Sequence, residues 1–145
     1  MLAFSALFAF YWIMKFRKKE NKQLFIISIG LIVAIVLALF PFKPVQLAGI
    51  GIYFVFVALV FMYGLTSNQL QMKAKIVICL MSASIFIYWL WVLNHWHGNE
   101  VLLPFFVMLV GVAGLLTKAK LKDESGILII LSTDAVAIIL EHWTK

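Results

Sequence analysis

Residues 47–66 read LAGIGIYFVFVALVFMYGLT, a run without a single charge. As a helix rising 1.5 Å per residue it spans about 30 Å, the thickness of a bilayer's hydrocarbon core. After a short stretch holding Lys73 and Lys75, residues 76–94 read IVICLMSASIFIYWLWVLN, again uncharged. Two such runs around a basic connection predict a hairpin of membrane-crossing helices.

The rest of the chain repeats this pattern. Six apolar segments are read: Met1–Phe16, Leu24–Phe42, Leu47–Thr66, Ile76–Asn94, Val101–Thr117 and Gly126–Trp143. The first and last are short and would need local thinning of the bilayer or snorkelling flanks. Composition agrees. Of the 145 residues 65% are hydrophobic and 12% charged, against about a quarter charged in an ordinary soluble domain. Mean hydropathy is +1.08. A soluble domain of this size could not hide so much apolar surface. Soluble enzymes, disordered tails and nucleic-acid-binding modules are thereby excluded.

The basic residues orient the segments. Lys15, Arg17, Lys18, Lys19 and Lys22 follow the first segment, Lys73 and Lys75 the third, and Lys118, Lys120 and Lys122 the fifth. The opposite side carries only Lys43 and Lys145. Lysine and arginine gather in cytoplasmic loops, so six crossings with both termini outside are expected. The positives follow the first apolar stretch rather than precede it, which predicts an uncleaved anchor. The expectation is an all-α, multi-pass protein of a bacterial inner membrane, folded as one helical bundle. Net charge is +6, placed as orientation signals rather than as a nucleic-acid patch. The single cysteine, Cys79, excludes an internal disulfide.

Helices in lipid associate through small residues and polar contacts. Gly30, Ala34 and Ala38 recur every four residues on the second segment, and Gly111 and Gly114 lie on the fifth. Both sets are candidate packing faces, the first toward another subunit or a second copy. Ser84, Tyr88, Trp91 and His95 share one face of the fourth segment. Trp89, Trp91, Trp96 and Trp143 gather near the outer boundary, as an aromatic belt would.

One residue breaks the apolar pattern at depth. Asp134 lies near the middle of Ile127–Leu140, beside Ser132 and Thr133. A carboxylate at bilayer depth costs several kcal/mol, so Asp134 should face the bundle. Two uses compete: a neutral acid hydrogen-bonded to a neighbouring helix, and a proton or cation site. In the second, Glu141, seven residues on, is the outer relay, and Ser132 and Thr133 supply supporting hydroxyls. The outer rim also collects His95, His97, Glu100, Glu141 and His142. Imidazole and carboxylate suit zinc, copper or iron, which makes this rim a candidate metal site. There is no nucleophile–base–acid arrangement and no phosphate loop, so no catalysis and no cofactor are expected. The leading expectation is an accessory or structural subunit of a larger membrane assembly, completed by other membrane subunits or by homo-oligomerisation.

Leu93–Leu103, read LNHWHGNEVLL, joins two apolar helices. It resembles the His-Trp-Pro-Gly hairpin of small membrane proteins that include the ring component of the gliding-motility and type IX secretion motor. His95, Trp96 and Gly98 match, and His97 stands where that family has proline. In that family a glutamate on the following helix is tied to proton-driven motion. No acidic residue lies between Val101 and Thr117, and Asp134 is on a different helix. The resemblance therefore implies a hairpin type and carries no activity with it.

Overall fold

The computed structural model describes residues 22–68, 70–94, 98–99, 101–116 and 124–143. Among them the chain is all-helical: α1 (Lys22–Ala38), α2 (Lys43–Thr66), α3 (Met72–Leu93), α4 (Leu102–Leu116) and α5 (Ser125–Trp143). The first apolar segment, Met1–Phe16, lies outside the described residues.

Two helices, α2 with 24 residues and α3 with 22, are long and apolar enough to cross a membrane. The count of six goes further than these lengths do. Among the shorter apolar helices, α1 has 17 residues and α4 has 15, at or below the lower limit of about 17 for a crossing. The expected second segment is trimmed at its end, because the chain turns at Leu39–Phe42. Pro44 does not end a helix. It sits in the first turn of α2, where a missing N–H and a fixed φ do no harm. That is why α2 starts four residues before the expected Leu47.

Short turns make sequential helices neighbours. The α1–α2 pair is antiparallel and tight. A Cβ on Gly49 would strike the backbone of Leu37 and Ala38 near the turn, and one on Gly30 would strike the Phe56 ring further along. Gly64 gives the same clearance to Cys79 and Ile78 across α2–α3, and Phe54 stacks on Phe86 with ring centroids 4.1 Å apart. α5 packs on α4, reaches α3 and touches α1, which closes the bundle.

The core follows from this arrangement. Leu31, Val57, Val60, Ile78, Met81 and Leu131 are fully buried. Hydroxyls inside the apolar helices bond back one turn: Ser28 to the Leu24 carbonyl at 2.8 Å, Ser82 to Ile78 at 2.6 Å, Ser84 to Leu80 at 2.7 Å. Such bonds satisfy a buried hydroxyl without a partner helix. The outer faces remain apolar. Val55, Met62, Leu109 and Leu115 are exposed, and only 22% and 33% of the apolar windows of α2 and α3 is buried within the chain.

Candidate functional site

Asp134 lies midway along α5 and is 6% exposed. Its Oδ2 accepts a 2.7 Å hydrogen bond from the Tyr53 hydroxyl of α2, a residue 81 positions earlier. This is a short bond for an O–H donor. It joins two helices, whereas the hydroxyls of Ser28, Thr66, Ser82, Ser84 and Thr133 bond carbonyls of their own helix. Depth explains the pairing. Tyr53 is ten residues from the Lys43 end of α2 and Asp134 nine from the Trp143 end of α5, so both sit about 14–15 Å down.

Trp89 of α3 completes the site. Its ring meets Tyr53 edge-on with centroids 6.2 Å apart at 67°, and Tyr88 edge-on at 5.9 Å and 79°. Its indole N–H lies within electrostatic reach of the Asp134 carboxyl but outside hydrogen-bonding geometry, and is buried without a partner. The carboxyl therefore faces two donor groups, from two helices, among aromatic rings. Neither of these groups is a cation, which disfavours a fixed negative charge at this depth.

The other expected residues fall elsewhere. Ser132 and Thr133 line a separate groove between α3, α4 and α5, and the Thr133 hydroxyl bonds the Ile129 carbonyl at 2.7 Å. Successive residues of a helix point about 100° apart, so three in a row cannot share one partner. Glu141 is on α5, with its side chain outside the described residues. His95, His97 and Glu100 also lie outside them, and His142 is exposed in the last turn of α5. Among the described residues no group of three His, Cys, Asp or Glu side chains stands close enough to hold a metal. Gly30 and Ala34 are buried and Ala38 is half-buried, with Gly30 turned to Phe56 inside the chain. Gly111 is half-exposed at the groove, and Gly114 is buried.

Tyr53 and Trp89 are what sequence reasoning missed. Tyr53 resembled one more aromatic in an apolar run, and Trp89 was counted in the boundary belt. The available signal was depth: Tyr53 is the phenol placed as far from its helix end as Asp134 is from its own. Trp143, by contrast, is 76% exposed near the end of α5, as a belt residue would be.

Between α3 and α4, Gly98 adopts a φ of +151° beside the Trp91 ring. Glycine alone takes that conformation without strain. Comparison with known proteins finds no matching family model, no matching curated protein and no matching solved structure.

Proposed function

We propose that this chain is a multi-pass membrane protein serving as an accessory or structural subunit of a larger membrane assembly. The observation that carries this reading is the unburied apolar surface of the long helices: most of the apolar windows of α2 and α3 is left uncovered by the chain itself. The core helix of a soluble protein would be mostly buried, so lipid or partner helices must cover these faces. Six crossings with both ends outside rest on the split of ten basic residues against two, since an odd number of crossings would mix basic and bare connections. The Tyr53–Asp134 bond fastens α5 to α2 in this reading and keeps the bundle in one arrangement.

Two experiments test it. Extraction of membranes with alkaline carbonate leaves the protein in the pellet; recovery in the aqueous fraction overturns the membrane reading. Native electrophoresis of gently solubilised membranes from the source cell shows the chain in a species well above its 16.5 kDa; migration as a lone chain overturns the subunit reading.

The site itself favours a second reading, a proton or cation pathway component. A carboxyl buried within an apolar helix is a candidate step of such a pathway, and the Tyr53 hydroxyl bonded to it can both donate and accept as its protonation changes. Asp134→Asn in vesicles reconstituted with the protein abolishes flux on this reading. Unchanged flux, or none from the parent protein, refutes it.

A further inference from the structure

We propose that the Asp134 carboxyl binds and releases a proton but takes no metal cation, and that the Trp89 indole N–H closes onto the carboxylate when the proton leaves. This rests on the pathway reading above: it chooses the ion for that site and gives Trp89 a part in holding it.

A metal cation needs a shell of donor atoms that the site does not supply. Calcium takes about 6–8 oxygen ligands, and magnesium a near-octahedral set. Among the described residues, the two carboxyl oxygens of Asp134 and the Tyr53 hydroxyl make three. Asp134 is buried, which leaves a cation little access to water that could complete the shell. The hydroxyls near it are committed elsewhere: Thr133 bonds the Ile129 carbonyl, Ser84 bonds the Leu80 carbonyl, and Ser132 lines the groove between α3, α4 and α5. Sodium sites in transporters draw on the carbonyls of unwound helices. Here α2, α3 and α5 run unbroken past Tyr53, Trp89 and Asp134, so their carbonyls are held in helical hydrogen bonds.

The donors point to the proton. An indole N–H has a hydrogen to give and no lone pair, so it repels a cation and attracts negative charge. That of Trp89 is buried beside the carboxyl with no partner, although buried polar groups are almost always bonded. A neutral acid leaves it in that state, because the phenol already serves the carboxyl at 2.7 Å. When the acid O–H breaks and its proton passes to water, a full negative charge stays on the carboxyl. The indole N–H then donates to it, and two donors from α2 and α3 hold the carboxylate of α5. Protonation reverses the step and frees the indole. Among the described helices no fixed charge stands at this depth. α1 brings Lys22, α2 Lys43, α3 Lys73 and Lys75, and α5 Glu141 and His142, all in end turns; Glu124 immediately precedes α5, and α4 brings none. Tyr63 on α2 and Cys79 on α3 lie ten residues from Tyr53 and Trp89, about 15 Å along the helices. Tyr88 meets the edge of the Trp89 ring.

The test is infrared difference spectroscopy of the full chain in lipid nanodiscs as the pH is raised. The C=O band of a neutral carboxylic acid is lost, and the band of a free indole N–H gives way to that of a bonded one. The first change is missing in Asp134→Asn, and the second is missing in both Asp134→Asn and Trp89→Phe. Replacing choline chloride with sodium, potassium or calcium chloride at equal ionic strength leaves the midpoint pH unmoved. A cation that bound the carboxylate would, once saturating, lower the midpoint by about one unit for each tenfold rise in its concentration. That result overturns the proposal. A carboxyl that keeps one protonation state throughout overturns it as well, and so does an indole band that ignores the change. If Asp134→Asn loses its helical circular dichroism, Asp123→Asn grown with isotope-labelled aspartate decides, because Asp134 is then the one aspartate in the chain. Absence of flux beside a cation-blind titration removes the pathway reading and leaves the proton site. A midpoint moved by sodium does the reverse: it overturns the proton site and leaves a cation pathway.

Discussion

Removing the Tyr53 hydroxyl alone should loosen the bundle by an amount traceable to one bond. Tyr53→Phe keeps the ring, and with it the edge-on contact to Trp89 at 6.2 Å, so only the 2.7 Å bond to Asp134 is lost. Interhelical hydrogen bonds in membranes average about 0.6 kcal/mol in double-mutant cycles and reach about 1.7. This one is short, buried and made to a carboxyl, which places it in the upper part of that range, at about 1–1.5 kcal/mol. The single variant loses more, about 1–3 kcal/mol, because it leaves a buried carboxyl without its donor. Asp134→Leu removes the group that needs satisfying. Asp134→Leu also strands the buried Tyr53 hydroxyl, so adding Tyr53→Phe to it costs nothing further and recovers part of the loss. The assay is equilibrium unfolding in mixed micelles of rising dodecyl sulfate fraction, followed by helical circular dichroism. A coupling below about 0.5 kcal/mol, the scatter expected of independent sites, would refute the idea that this bond joins α2 to α5.

Four further outcomes are expected in the same or simpler assays. Gly49→Ala should destabilise by about 1–3 kcal/mol, because its Cβ meets the backbone of Leu37 and Ala38 and backbone cannot rotate away. Gly51→Ala, with nothing within 4 Å of the added Cβ, should instead be neutral or stabilising by up to about 1 kcal/mol through helix propensity; a reversed order of these two variants would contradict the α1–α2 packing. Cys79, half-buried against α2 with its Sγ 3.9 Å from the Phe61 carbonyl, should resist a membrane-impermeant maleimide in the folded protein and react after unfolding. Tyr53→Leu should lose about 0.5–1.5 kcal/mol more than Tyr53→Phe, since it also removes the edge-on contact with Trp89; equal losses would mean that the aromatic contact adds nothing.

The helices and their order were legible in the one-dimensional pattern. Charge-free runs separated by lysine clusters and prolines mark where the chain turns, because polar loops and apolar spans obey different solvents. The special place of Asp134 was legible for the same reason: a lone carboxyl in an apolar run must be turned inward. Its partners were not. Ser132 and Thr133 are adjacent in sequence but point to another side of α5, whereas Tyr53 and Trp89 come from helices whose rotation about their own axes no periodicity reveals. The runs are apolar on all sides, so hydropathy leaves helix azimuth undetermined. Small residues at Gly30, Gly49 and Gly64 settle it by letting particular faces approach closely.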